Sequence, residues 1–258
     1  MDYRSCAEQI THLVRPQSFP IGIKILTGRG LIPEGFSRPA KYGIKISLCQ
    51  WTTMARRWGR NVAAEADDIN CSPCLASLGL KDMDAPSALA SYFMDMGYFE
   101  DADTAAGVVS QLDPIAPGKM TGVLMFPLDK SPVPPDLVAI YGTPAQMARL
   151  SAGYIYHHGS LIKSATTGFG LSCLSLLKPH WTGKPAMVHP GRGERILAGT
   201  DDAEMLFSFP AKNLEALVDG LVKTHKRGTR FPVQSYLLYE PPLLPAMKAL
   251  DDKMKDVE

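Results

Sequence analysis

The residues best suited to chemistry in this 258-residue chain are its five cysteines, Cys6, Cys49, Cys71, Cys74 and Cys173. Cys71 and Cys74 form a Cys-x-x-Cys pair where a helix is predicted to begin. Unpaired backbone N–H groups and the positive end of the helix dipole favour thiolate over thiol at such a position. Because thiolates bind metals and attack disulfides, the pair indicates either metal or redox chemistry.

Two further cysteines lie at other predicted junctions. Cys49 follows a predicted strand, and Cys173 opens a separate short helix. The three segments can bring four thiolates to one point, and four cysteines suit a structural zinc ion or a four-iron cluster. The alternative is that Cys49 and Cys173 are ordinary buried apolar residues, since free cysteine is among the most buried residue types.

Three kinds of cysteine chemistry compete. The segment Cys71-Ser72-Pro73-Cys74 resembles the redox motif of thioredoxin-like proteins, but the partner strand with its proline is not evident. A structural zinc site usually pairs two compact Cys-x-x-Cys knuckles, and this chain has one. Ligands from several separate junctions suit a cluster in a larger fold better. We therefore predict a four-iron four-sulfur cluster, with zinc or a thiol–disulfide pair as alternatives.

Two arginines are candidates for binding an anionic group. Arg192 and Arg195 lie in a predicted glycine-rich loop with a short strand, over residues 189–199. Guanidinium groups and closely spaced backbone N–H groups can cradle an anion. The alternative is a turn with a surface charge pair to Glu194. Hydrolase-elbow, phosphate-loop and zinc-protease motifs do not occur in the sequence.

Composition excludes several classes of protein. Hydrophobic residues make up 45% of the chain, which is ordinary for a globular protein. The 27 lysines and arginines balance 26 acidic residues, so no charge pattern for nucleic acid or a membrane surface is present. No apolar run reaches the roughly 18 residues of a membrane span, and the N-terminus lacks a signal pattern. We expect a cytoplasmic protein, where structural disulfides are rare.

Hydrophobic periodicity predicts an α/β or α+β fold, with mixed sheets and flanking helices. Helices are predicted over residues 3–15, 51–58, 74–78, 86–99, 104–112, 144–156, 172–178 and 211–223. Strands are predicted over residues 19–26, 43–48, 62–64, 122–127, 137–141 and 160–164, with weaker alternation over 204–209.

The predicted organisation is a single compact domain over residues 1–232, followed by an arm or tail over 233–258. The segment QWTTMARRWG at 50–59 shows weak sequence similarity to PAQMARLSAG at 144–153. Each copy is followed by a possible strand and then by a helix opened by a cysteine. This internal similarity suggests two pseudo-repeated halves, residues 1–115 and 116–232.

A set of short motifs extends over most of the chain. The motifs are FPIGIK at 19–24, CQ at 49–50, AR at 55–56, DINC at 68–71, LGL at 78–80, YG at 141–142, PAQ at 144–146, GFGLSC at 168–173, RILAGTDDAEMLFSFP at 195–210, GL at 220–221 and THK at 224–226. In these motifs the chain resembles the domain-of-unknown-function 169 family, over about residues 3–232. This family is common in anaerobic bacteria and archaea, and its biochemical role is unassigned.

The resemblance implies that Cys49, Cys71 and Cys173 are the best-matched cysteines, with Cys74 a weaker match. Three thiolates on a four-iron cluster leave one iron open as a Lewis acid, whereas four close the cluster and favour electron transfer. We expect an enzyme of anaerobic metabolism, a lyase or reductase, acting on a small anionic substrate held by Arg192 or Arg195. The alternative is a non-enzymatic cluster protein, either an electron carrier with a redox partner protein or a redox- or metal-responsive protein.

Overall fold

The computed structural model describes residues 1–28, 32–233 and 244–255. It has mixed α/β architecture, with helices on both faces of one open six-stranded sheet. Neighbouring strands pair antiparallel in the order β2-β3-β1-β4-β6-β5. The strands are β1 (Ile21–Leu26), β2 (Val62–Glu65), β3 (Gly122–Pro127), β4 (Leu137–Gly142), β5 (Ala186–Val188) and β6 (Met205–Pro210). The predicted fold class is confirmed.

The helices of the described residues differ in length, from four to 15 residues. They are α1 (Tyr3–Val14), α2 (Leu48–Trp58), α3 (Ser72–Ser77), α4 (Ala85–Asp95), α5 (Ala102–Leu112), α6 (Pro144–His158), α7 (Ser172–Leu177), α8 (Pro179–Thr182), α9 (Arg192–Ala198), α10 (Leu214–Lys226) and α11 (Pro245–Lys255).

The sheet register assigns each strand's alternate residues to opposite faces. In β1, Ile23 pairs with Met125 on one side and with Leu137 on the other. In β4, Ala139 and Tyr141 belong to one core, whereas Val138 and Ile140 belong to the other. The strand β4 is therefore a continuous apolar run, because both of its faces lie in cores that contain helices.

The two faces carry different helices. One face packs against α2, α3, α4, α5 and α7 and is here called the site face. The other packs against α1, α6 and α10 and is here called the scaffold face. On the scaffold face α6 and α10 touch through glycines, since a Cβ atom on Gly220 would overlap the carbonyl oxygen of Gly153. The sheet places β3, from the second predicted half, between β1 and β2 from the first.

Two predicted strands are wrong. Residues 43–48 form only an isolated bridge between Ile46 and Ile69. The Ser47 hydroxyl accepts from the backbone N–H of Gln50, and the Gln50 side chain accepts from the backbone N–H of Ser47. This capping box begins α2 at Leu48, earlier than predicted. Residues 160–164 form no strand; instead, the Ser164 hydroxyl accepts from the backbone N–H of Met187 at 2.7 Å.

Two further predictions concern the later part of the chain. The short strand predicted within residues 189–199 is the helix α9, capped by Gly191 in an extended conformation. In the predicted tail, α11 has no buried side chain over residues 245–255. Residues 234–243 and 256–258 of that tail lie outside the described residues.

Candidate functional site

The four cysteines predicted to act together line one cavity of about 150 Å³ on the site face. These four residues are Cys49, Cys71, Cys74 and Cys173, and we call the cavity that they line the cysteine cavity. Cys6 lies on α1 and belongs to the core of the scaffold face. The structure thus brings together the predicted cysteines and separates the fifth from them.

Each cysteine of the cavity stands at the beginning of a helix. Cys49 lies in the first turn of α2, because the Ser47 cap starts that helix just before it. Cys71 is the N-cap of α3, and Cys74 lies in the first turn of the same helix. Cys173 lies in the first turn of α7, after Leu171 in the left-handed conformation, with φ of 62°. The cavity is therefore built from three helix starts that are distant in the chain.

The thiols of the cavity influence one another's protonation. A hydrogen bond from the Cys74 thiol lowers the pKa of Cys71 to about 7. Interactions with Cys173 and Cys71, together with burial, raise the pKa of Cys74 well above its ordinary value. Burial, and then the nearby Glu194, raise the pKa of Cys49 to about 12. In the metal-free protein Cys71 is thus the most readily ionised of these three.

The donor set suits a metal, although the side chains are not arranged around a single ion. Thiolates are soft ligands that select zinc and iron–sulfur clusters. Within residues 1–28, 32–233 and 244–255, no three histidine, cysteine, aspartate or glutamate side chains are placed as ligands of one metal ion. Metal binding here would therefore require the thiols to turn toward a shared centre.

Aromatic rings form one wall of the cysteine cavity. Phe169 stacks on Tyr98, with ring centroids 5.1 Å apart, and lies 4.5 Å from Phe93. Tyr98, Phe93 and Phe169 all line the cavity, and Phe99 packs behind Phe169. These rings keep water from one side of the thiols, which strengthens electrostatic interactions inside the cavity.

Glu194 is a cavity residue that the sequence interpretation placed at the surface. The side chain is only 4% exposed and lines the cavity. Its Oε1 accepts from the Thr200 hydroxyl at 3.3 Å, and the hydroxyls of Ser172 and Tyr141 lie nearby. Burial nonetheless raises the pKa of this carboxyl above its ordinary value. A helical interpretation of residues 192–198 would have placed Glu194 and Ala198 on one buried side, four residues apart.

Arg56 joins the cavity wall to the rest of the site face. Its guanidinium is completely buried and donates to both carboxylate oxygens of Glu204, at 2.6 and 3.0 Å. It also donates to the Thr200 hydroxyl at 3.1 Å and lies 4.1 Å from the ring centroid of Tyr141. Because Thr200 also bonds Glu194, Arg56 connects α2, which carries Cys49, to α9.

The two candidate arginines have different surroundings. Arg192 is exposed at the cavity and makes no ion pair within the described part of the chain. Arg195 does not line the cavity. Its guanidinium donates to Asp202 at 2.8 Å and to the carbonyl oxygen of Pro190. The structure therefore brings Arg192, and not Arg195, to the cysteines.

The fold and site define a mixed α/β protein with an open antiparallel sheet and a cysteine-lined cavity on one face. The sequence model of the family DUF169, described as uncharacterised ArCR, matches residues 9–220. The chain belongs to this family. No curated protein and no solved structure matches it. Among the described residues, no helix has both the length and the apolar character needed to cross a membrane.

Proposed function

We propose that this chain is a cytoplasmic iron–sulfur protein that holds a four-iron cluster in the cysteine cavity. The observation that carries the proposal is the shared cavity of Cys49, Cys71, Cys74 and Cys173. Cysteines with only a packing role have no reason to line one cavity from segments as far apart in the chain as those of Cys49 and Cys173. Soft thiolate donors in an apolar, aromatic enclosure are what an iron–sulfur cluster requires.

The number of cysteine ligands decides the kind of chemistry. Cys49, Cys71 and Cys173 are the three proposed ligands, and Cys74 is the candidate fourth. With three thiolates, the cluster would supply a Lewis-acidic iron to a bound substrate. With four, electron transfer or a structural role is favoured.

The residues around the cysteines favour an enzyme acting on a small anionic molecule, by lyase or reductase chemistry. Arg192 lies at the cavity without an ion pair to any residue that the structure describes, and its guanidinium can bind a carboxylate or phosphate group. Glu194, with its raised pKa, can hold a proton at the cavity wall. The aromatic wall of Phe93, Tyr98 and Phe169 excludes water from one side.

A second candidate function is thiol–disulfide exchange, and one observation favours it. The Cys74 thiol lowers the pKa of Cys71 to about 7, which is the arrangement a nucleophilic Cys-x-x-Cys pair needs. In this alternative Cys71 attacks a disulfide and Cys74 resolves the mixed disulfide. Cys49 and Cys173 would then be packing residues.

Metal analysis of protein purified without oxygen tests the proposal. We expect a brown protein with visible absorption, containing about four iron and four sulfide per chain. The variants Cys49→Ser, Cys71→Ser and Cys173→Ser should each lose the absorption, whereas Cys6→Ser, on the scaffold face, should retain it. The variant Cys74→Ser then distinguishes three cysteine ligands from four, because loss of iron in this variant means that four thiolates bind the cluster.

Other results would replace the proposal. A colourless protein with one zinc per chain would establish the zinc alternative. A metal-free protein that forms a Cys71–Cys74 disulfide on mild oxidation, seen by peptide mass spectrometry, would establish thiol–disulfide exchange.

A further inference from the structure

A second cavity, of about 200 Å³, shares residues 170–172 with the cysteine cavity. Its distinguishing feature is its cationic lining. The positively charged or chargeable side chains that line it are Lys163, Lys178, Lys184 and His189. We call it the lysine cavity. It lies between the end of α5, the helices α7 and α8, and the segment before β5.

The charge in the lysine cavity is only partly balanced by neighbouring acidic residues. None of the described residues that line it is an aspartate or glutamate. Lys178 pairs with Asp113 at 3.0 Å and donates to the carbonyl oxygen of Leu112. The ammonium groups of Lys163 and Lys184 have no hydrogen-bond or ion-pair partner in the described ranges. A concave site lined by one sign of charge concentrates ligands of the opposite sign.

Neutral hydrogen-bonding groups complete this lining. The Thr166 hydroxyl lies 2.8 Å from Nε2 of His189. The hydroxyls that line the same cavity belong to Ser164, Thr166, Thr167, Ser172, Ser175 and Thr182. Of these, Thr167 and Thr182 donate to backbone carbonyl oxygens, and Ser172 bonds Glu194, so Ser164, Thr166 and Ser175 are the hydroxyls considered for a ligand. Ammonium and hydroxyl groups both donate hydrogen bonds that the oxygens of an oxyanion can accept.

We propose that the lysine cavity binds a small molecule carrying a doubly charged oxyanion, either a phosphate monoester or a dicarboxylate. The two unpaired ammonium groups, on Lys163 and Lys184, supply the main attraction, and His189 with Thr166 supplies oriented donors. Arg192 belongs to the cysteine cavity, so this anion site is separate from the one assigned to the substrate above.

Calorimetric titration of the full chain with inorganic phosphate, and separately with succinate, tests this site at low ionic strength and near-neutral pH. The double variant Lys163→Gln/Lys184→Gln should weaken binding about tenfold or more, because it removes two charged hydrogen-bond donors. The matched control is Lys41→Gln/Lys119→Gln, which removes the same charge from exposed lysines outside the cavity. The control should change the affinity by less than about twofold.

Each outcome has a definite meaning. Saturable binding of phosphate but not succinate assigns a phosphate-bearing ligand, and the reverse assigns a dicarboxylate. Absence of saturable binding for both probes overturns the proposal, as does an equal loss in the control variant. Circular dichroism of both double variants separates loss of the site from loss of the fold. Repeating the titration with Cys71→Ser shows that the result does not depend on the cysteine cavity.

Discussion

The two faces of the sheet are built on different principles. The scaffold face consists of the longer helices α1, α6 and α10, whose contacts are mainly apolar and, at Gly153 and Gly220, closely packed. The site face contains the shorter helices α3 and α7, and α9 packs beside it against α2. Most of the buried charged groups among the described residues belong to this second region, notably Arg56, Glu194 and Glu204. The exception on the scaffold face is Arg149 of α6, which donates to the side chain and backbone of α10. The scaffold face therefore depends mainly on packing, whereas the second region buries more charged groups, which need partners to offset their loss of hydration.

The largest change in stability is expected when the buried ion pair of Arg56 and Glu204 on the site face is broken. Arg56→Ala should lower the free energy of unfolding by about 3–5 kcal/mol, because it leaves Glu204 buried without its main partner. Arg57→Ala is the matched control, since Arg57 also bonds Glu204 but is 38% exposed, and we expect about 0–1 kcal/mol. Urea unfolding followed by circular dichroism measures both. Equal losses would show that burial does not distinguish the two arginines.

The next largest change in stability is expected at the close contact between α6 and α10 on the scaffold face. Gly220→Ala should destabilise the protein by about 1–3 kcal/mol, because the new methyl group meets the backbone of α6. Gly107→Ala, within α5, is the control: nothing lies near its missing Cβ, so we expect a gain of about 0.5–1 kcal/mol. Thermal unfolding of the two variants measures the difference. Similar changes in both would contradict the packing assigned to α6 and α10.

Thiol reactivity sharpens the contrast on the site face. In metal-free protein, alkylation of Cys71 should increase with pH around a midpoint of about 7, while Cys49, with a pKa of about 12, stays unreactive. Cys74→Ala removes the hydrogen bond that stabilises the thiolate, so the midpoint should move up toward 9.0. The thiolate fraction of Cys71 at pH 7 should then fall, by up to about fifty-fold if the midpoint reaches 9.0, and the alkylation rate should fall with it. Mass spectrometry of labelled peptides identifies each site.

The same shift has a consequence for stability. Because the pKa of Cys71 is lower in the folded protein than its ordinary 9.0, the unfolded chain binds more protons between about 7 and 9.0. This group's contribution to stability is therefore fully present above 9.0 and is lost as the pH falls through about 7. A midpoint near 9.0 in the unsubstituted protein would contradict the assigned Cys71–Cys74 interaction.

The smallest change in stability is expected for the C-terminal helix α11, which belongs to neither face. Deleting residues 245–258 removes α11, which buries none of its described side chains. The midpoint of thermal unfolding should change by no more than about 2 °C, as expected for surface changes within about 0.5 kcal/mol. Differential scanning calorimetry measures this. A larger decrease would mean that the segment stabilises the domain.

Many elements were predictable because local signals define them. The strands at 122–127 and 137–141 are continuous apolar runs, and Thr143 with Pro144 marks the beginning of α6. The errors occurred where local signals are weak or compete. Residues 43–48 have a strand-like pattern, but the capping box of Ser47 and Gln50 favours a helix start. Residues 189–199 were interpreted as a loop because glycines at 191 and 193 obscured a short helix.

The candidate site was only partly predictable for a different reason. Cysteine type and spacing were enough to select Cys49, Cys71, Cys74 and Cys173, since few other residues combine metal affinity and nucleophilicity. Once residues 189–199 are interpreted as a loop, their pattern does not distinguish Glu194 from an exposed charge, or Arg192 from Arg195. Those differences depend on which side of α9 faces α2, and tertiary packing sets that side.

Local sequence was sufficient for most of the longer helices and strands, for the types of reactive side chain and for the apolar run that buries both faces of β4. Tertiary structure alone decided that three helix starts open into one cavity and that Arg56 is buried against Glu204, 148 residues away. It also decided that Cys71 ionises more readily than Cys49. The physical reason is that burial and pKa depend on neighbours in space, and these neighbours come from distant segments of the chain.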